Sequence, residues 1–430
     1  MKTRIINRVR SAWCRLRRKT YICLDFTAAF TDYLLSPYGR TGSPSTRLTE
    51  LATSSNDLAN PQEPPSPGAE TPESIAIFVA YSNQLTHSNR AYLQALKQAG
   101  FSTFFINNCT TDSEDIAEIS SLVWRMFDRE NIGRDFGAFK DGVLMLNDEG
   151  HLKRCLYLAI ANDSMQFIPG RNADELIKRI QRFKESPAKG LFSHISHQIQ
   201  THYQSYFQIL KPEIFRSNRF LDFWQNYQHL SHRGHCIYQG EIALSSEVYR
   251  HFYPVEVLYT SDDLIEVLLA TYKHEGGVPG GDLLRLMPSP SRTAENGLIG
   301  YSLGQLLESV SKGKPLTTFQ AFTIADLIEN SNPSHIAAFL YPFFLHCPLV
   351  KHDLCIAGSF TIGQAVNLFK ELLEYSATSP ETGIQIQPFL EEFKQLIYAK
   401  GVPMSYSGKT REAAIRGITN GFVYPFTYDG

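Results

Sequence analysis

The feature that most constrains the fold is an alternation that begins near Ile75. Short apolar runs at residues 75–81, 102–107, 155–161 and 190–195 read as strands, and the stretches 89–98, 113–126, 143–146 and 174–185 carry helical apolar spacing. Three strands stop on polar pairs: Ser82-Asn83, Asn107-Asn108 and Asn162-Asp163. This βαβα order predicts an α/β fold, an open and mainly parallel sheet with helices on both faces. Such sheets bind ligands beyond the carboxyl ends of their strands, where the polar pairs fall.

The wider composition narrows the function classes. A chain of 430 residues with 43% hydrophobic and 20% charged residues is long enough for about two or three folded domains. Its net charge of -2, with no zinc-finger spacing and no RNA-binding aromatic motif, sets nucleic acid aside as a partner. The seven cysteines, at 14, 23, 109, 155, 236, 347 and 355, form no CxxC pair. That argues for a reducing cytoplasm and against a disulfide framework or a structural zinc site. No apolar run approaches the ~20 residues of a membrane-spanning helix. The basic start of the chain lacks the apolar core of a secretory signal.

Four segments follow. Residues 1–40 open with a basic stretch, 2–19, in which Ile5, Ile6, Val9, Trp13 and Leu16 share one helical face and Arg4, Arg8, Arg15, Arg18 and Lys19 the opposite one. It reads either as a peripheral anchor on the anionic inner face of the plasma membrane or as a basic tail that docks on the protein itself. Residues 41–73, rich in Ser, Thr, Pro, Asn and Glu, read as a disordered linker. Residues 74–275 hold the α/β domain. Residues 276–430 read as a mainly helical region, with apolar spacing at 302–310, 318–329, 361–375 and 388–398.

Four clusters carry candidate chemistry. The run from Arg129 to Gly142 packs Arg129, Asn131, Gly133, Arg134 and Asp135 into a glycine-bearing polar turn, suited to backbone approach, phosphate and sugar hydroxyls. Its glycines do not fit the dinucleotide fingerprint, so a loop-to-helix junction is the plainer alternative. Asn162 and Asp163 end a strand; Asp163 either holds Mg2+ or Mn2+ against a diphosphate or caps a turn. Glu241 follows Gly240 and is either a general base or a helix N-terminal acid. Residues 202–208 alternate, placing His202, Gln204, Tyr206 and Gln208 on one face of a strand, as an acceptor groove or a solvated edge. His229, His232 and His235 repeat every three residues, but Gly234 weakens the helix that a metal site would need. No Walker A or G-x-S-x-G motif occurs.

In order and approximate spacing over residues 75–360, these segments resemble the rhamnan synthesis protein F family, which is associated with glycosyl transfer in bacterial cell-surface polysaccharide and lipopolysaccharide assembly. The resemblance lies in residues 129–135, 161–164, 204–207, 220–224 and 241–245, and later in 332–335 and 348–354. It implies a GT-A-like fold and transfer of a sugar such as rhamnose, with inversion, from a nucleotide sugar donor to a glycan or glycolipid acceptor. Asn162-Asp163-Ser164 stands where related enzymes carry D-x-D, with one carboxylate, so a divalent cation is an open expectation at Asp163. Glu241 matches the base. Arg129, Asn131, Gly133, Arg134, Asp135, Asn162 and Asp163 are expected on the donor side, and His202, Gln204 and Tyr206 on the acceptor side. A non-catalytic nucleotide-sugar or glycan-binding partner in an assembly complex is the alternative.

Overall fold

A computed structural model describes residues 47–51, 72–271, 316–355, 360–377 and 385–399, with isolated positions between 27 and 30 and between 283 and 288. In chain order the strands are β1 (Thr49–Leu51), β2 (Ser74–Ala80), β3 (Ser102–Asn107), β4 (Arg125–Asp128), β5 (Tyr157–Asn162), β6 (Met165–Phe167), β7 (Gly190–Phe192), β8 (Ile195–Ser196), β9 (His202–Tyr203), β10 (Phe207–Leu210), β11 (Val255–Val257) and β12 (Leu349–Lys351). Eight form one sheet in the order β1-β4-β3-β2-β5-β10-β7-β11. The central run β4-β3-β2-β5 is parallel throughout, as the alternation predicts. Antiparallel β10 follows, between β5 and β7, and β11 lies parallel to β7.

All seven residues of β2 are buried, because both faces of the sheet are covered. Its alternate side chains serve two cores. Ala76, Phe78 and Ala80 face one that includes Tyr92, Leu176, Leu264, Leu372 and Phe393. Ile75, Ile77 and Val79 face another with Phe139, Val143, Trp224 and Leu244.

The structure departs from the sequence reading in four places. The expected helix 113–126 ends at Leu122, and β4 follows, with Met126 and Phe127 buried and Asp128 opposite Asn107. Within the stretch read as linker, Thr49–Leu51 pairs antiparallel with β4 and closes that edge of the sheet. The expected strand 202–208 is broken: β9 pairs with β8, while β10 joins the main sheet. The C-terminal helices Thr318–Glu329, Ile362–Ser376 and Ile386–Ala399 form no detached appendage. They contribute to the same continuous core as β2, since each needs an apolar partner for its buried stripe. The region also supplies β12, which pairs antiparallel with β6. The basic stretch 2–19 and the expected helix 302–310 lie outside the described residues.

Candidate functional site

Several sequence-distant segments meet on Asn162, the last residue of β5. Its side-chain amide donates to Asp135 Oδ2 at 2.6 Å, and its Oδ1 accepts from Ser164 N at 3.2 Å and Ser164 Oγ at 2.7 Å. Its backbone N–H donates to Tyr206 O at 3.3 Å. Asp163 ties the neighbouring strand end into the same place: its N–H donates to Val79 O at 3.0 Å, and Oδ2 accepts from Tyr81 N at 2.8 Å. The next strand ends are also fixed by side chains. Asn107 donates to Ser82 O and Thr111 Oγ1, and Asp128 accepts from Thr111 N and Oγ1. Burial first, then Asp128 and Asp163, push the Cys109 thiol up to about 11, so it is no thiolate nucleophile.

The glycine-bearing turn is built for close approach. Gly133 (φ 79°) and Arg134 (φ 54°) are both left-handed at the start of the helix Arg134–Asp148. A Cβ on Gly133 would lie 2.9 Å from His229 Cα, and one on Gly137 2.4 Å from Ile132 O. Arg134 is a non-glycine residue in a conformation that costs roughly 1–2 kcal/mol, which surrounding structure must impose. Arg134 and Asp135 stand half-buried at the cleft, and Asn131 is partly exposed in the turn before them.

Arg129 is a correction. Expected on the donor side, its guanidinium has no exposed surface and does not reach the cleft. It donates to Asn108 Oδ1 at 2.6 Å and Ile132 O at 2.8 Å, and lies 3.2 Å from Asp141 Oδ2. Asp141 is equally buried and also meets Arg47 Nε at 2.8 Å and His229 Nε2 at 3.0 Å. Burial pushes the Asp141 carboxyl up, but His229, Arg129 and Arg47 outweigh it and hold the group below the usual carboxylate range. Burial lowers His229, so the neutral ring donates its Nε2–H to Asp141. His232 and His235 turn elsewhere: His232 Nδ1 accepts from His235 N, and His235 Nε2 meets Gln228 O.

Glu241 sits in a π-helical segment, Cys236–Ile242, ahead of the helix Ala243–His251. Such segments recur at functional sites, where they re-aim side chains. Gly240 lets this one press on the first turn of Arg134–Asp148, since a Cβ there would stand 2.8 Å from the Phe136 ring. Glu241 Oε1 accepts from both Ser205 N and Ser205 Oγ at 2.8 Å. Its Oε2 lies 3.7 Å from His202 Nε2, too far for a hydrogen bond. His202 Nδ1 is 2.7 Å from Gln200 O, so Nδ1 carries the proton, and Nε2 accepts from Gln204 Nε2 at 3.1 Å. Ser205 therefore joins Glu241, His202 and Gln204 to the strand end through the next residue, Tyr206.

Tyr206 is the second correction. It turns inward rather than toward an acceptor groove, and its hydroxyl is hydrogen-bonded to His194 Nδ1 at 2.7 Å. Burial lowers His194 to about 3, so the imidazole stays neutral. The alternation assumed one continuous strand; the break after β9 reverses which side Tyr206 faces.

A further cluster carries no expected role in the sequence reading, although residues 332–335 and 348–354 contribute to the family resemblance. His335 Nε2 meets Asp353 Oδ1 at 2.8 Å, Arg233 Nη2 lies 3.9 Å from Asp353 Oδ2, and Lys351 Nζ lies 5.4 Å from the Tyr206 ring centroid. Among the described residues, no group of three or more His, Cys, Asp or Glu side chains is arranged to hold a metal. One Asp163 oxygen is engaged by Tyr81 N–H, so a cation held there would take most of its oxygens from a ligand's phosphates. No described helix is long and apolar enough to cross a membrane.

Fold and site thus define an α/β protein with polar side chains gathered at the ends of parallel strands. Residues 103–270 match the family described as rhamnan synthesis protein F, in agreement with the resemblance carried by the motifs. The match includes the turn, the Asn162-Asp163 strand end and Glu241, but not residues 332–354. The chain is also similar to an uncharacterized protein, y4gN, of Sinorhizobium fredii, 25% identical over 194 residues, or 45% of this chain. It spans about half the length of that relative, 50%.

Proposed function

We propose that the protein is a GT-A-like glycosyltransferase. It moves a sugar, rhamnose being the candidate the family description suggests, from a nucleotide diphosphate donor to a cell-surface polysaccharide or lipopolysaccharide precursor, with inversion. The observation that carries this reading is the meeting of Asp135, Asn162-Asp163 and the Ser205-bound Glu241 at one strand end. The donor lies over the ends of β2 and β5, with its diphosphate toward Arg134 and the start of the helix Arg134–Asp148. Ser205 anchors one oxygen of Glu241, and the other takes the proton of the acceptor hydroxyl. As the acceptor oxygen bonds to the anomeric carbon, the bond to the diphosphate oxygen breaks, and nearby cations meet the departing charge. His202 and Gln204 offer polar contacts to the acceptor. These steps use the chain's own groups. The basic stretch 2–19 would bring this cleft to an anionic membrane surface, where lipid-linked acceptors reside.

The test is turnover. Protein given a panel of nucleotide sugars and membrane glycolipid releases nucleoside diphosphate. Glu241→Gln lowers release by about 100-fold or more while keeping donor binding. Release that survives this change removes Glu241 from the role. The single carboxylate at the D-x-D position favours one other reading, a non-catalytic nucleotide-sugar-binding partner. Tight donor binding with no turnover for any donor would select it.

A further inference from the structure

Lys351 is the last residue of β12, paired with Met165, two positions past Asp163. Its ammonium lies 5.4 Å from the centroid of the Tyr206 ring, over the residue whose carbonyl accepts from Asn162 N. The side chain is half-buried, yet among the described residues it makes no hydrogen bond or ion pair. An ammonium has three donors, and at this half-exposed position they are open to water or to an entering anion. Two residues on stands Asp353, a buried carboxylate that accepts from His335 at 2.8 Å and has Arg233 Nη2 at 3.9 Å. Burial pushes Asp353 up, but His335, Lys351 and Arg233 outweigh it and keep it ionised. Asp353 thereby steadies Arg233 at the head of the helical stretch that carries Glu241. The C-terminal region thus delivers one cation, Lys351, and through Asp353 holds a second, Arg233 of the α/β domain, near the strand end where the sheet contributes mainly carboxylates.

We infer that Lys351 and Arg233, braced by the Asp353–His335 pair, form an anion subsite of the cleft that takes a diphosphate group. This rests on the transferase reading for its choice of ligand, because both the leaving nucleoside diphosphate and the head of a polyprenyl diphosphate acceptor present that group. A planar guanidinium and a compact ammonium together offer the mixed donor geometry that two linked phosphates can fill. It also assigns a task to the C-terminal region: supplying charge to a site built mostly by residues 74–275.

The experiment is calorimetric titration of the full chain without turnover, using inorganic pyrophosphate, a panel of nucleoside diphosphates, and vesicles carrying a polyprenyl diphosphate. Wild type binds at least one of these probes. Lys351→Met, which keeps most of the stem, weakens binding by about tenfold or more, and Lys351→Arg recovers most of it. Thermal unfolding of both variants reports whether they fold. Preference for nucleosidic over vesicle-borne diphosphate assigns the subsite to the donor, and the reverse preference to the acceptor. Wild-type-like binding by folded Lys351→Met, or no diphosphate binding by wild type, overturns the inference. Lys351-dependent binding without sugar transfer leaves the subsite standing and removes the transferase reading. Turnover with binding indifferent to Lys351 does the opposite.

Discussion

Arg134 concentrates the residue-scale question, because its backbone pays for its position. At φ 54° it holds a left-handed conformation that glycine would adopt freely, next to Gly133 at φ 79°. If the side chain served only packing, the chain would gain nothing by keeping an arginine there. Arg134→Gly is therefore expected to leave stability within about 1 kcal/mol of wild type, relief of strain offsetting the added chain entropy. It is also expected to slow sugar transfer by about tenfold or more. Calorimetric unfolding and turnover of the same preparation check this; a large loss of stability with unchanged turnover would make Arg134 a structural residue. The sequence made Gly133 and Arg134 legible as a special turn. It could not separate them from Arg129 five residues earlier, because charge alone does not say which guanidinium is swallowed by a carboxylate 12 positions on. Tyr206 was misread for a related reason: period-two alternation assigns faces only while the strand continues.

At the scale of elements, the buried Asp141 links pieces that share no sequence neighbourhood. It lies inside the helix Arg134–Asp148 and meets Arg47 just before β1, Arg129 just after β4, and His229 against the glycine turn. Removing one partner of a buried ion pair commonly costs about 3–5 kcal/mol, because the remaining charge stays desolvated. Asp141→Asn keeps the shape and leaves two buried guanidinium groups underpaired, so a loss of that order in urea unfolding is expected. A change under about 1 kcal/mol would mean that the network is not held as a unit. β1 shows why this link was invisible in the sequence. Thr49–Leu51 is three residues set in a polar, proline-rich stretch, and no local pattern marks it; it becomes a strand because β4 offers an open edge and Asp141 a buried partner for Arg47. The strands β2, β3 and β5 were legible because both their faces are covered, which writes continuous apolar runs into the chain.

On the scale of the whole molecule, the C-terminal helices and the sheet are one core, and the seam between them is polar at its centre. His194 is hydrogen-bonded to Tyr206 and packs against Tyr259 and Tyr341, joining the β7–β8 turn, the β9–β10 break and the C-terminal helix Leu340–Leu345. The sequence showed helices in both regions, but their shared core depends on contacts more than a hundred residues apart, which periodicity does not encode. This seam gives the fold a pH dependence. Burial lowers His194 from an ordinary 6.5 to about 3 in the folded protein, whereas the unfolded chain restores the ordinary value. Between those limits the unfolded state binds a proton that the folded state refuses, so stability is full above pH 6.5 and falls as the pH drops toward 3. Within that window His194 contributes a slope of about 1.4 kcal/mol per pH unit. His194→Phe leaves the Tyr206 hydroxyl without its hydrogen-bond partner and costs about 1–3 kcal/mol at neutral pH, but it removes the proton from the balance. Unfolding free energies measured from pH 7 to pH 4.5 should therefore converge for the two proteins as the pH falls. Parallel curves would show that His194 is protonated, or reached by water, in the folded chain.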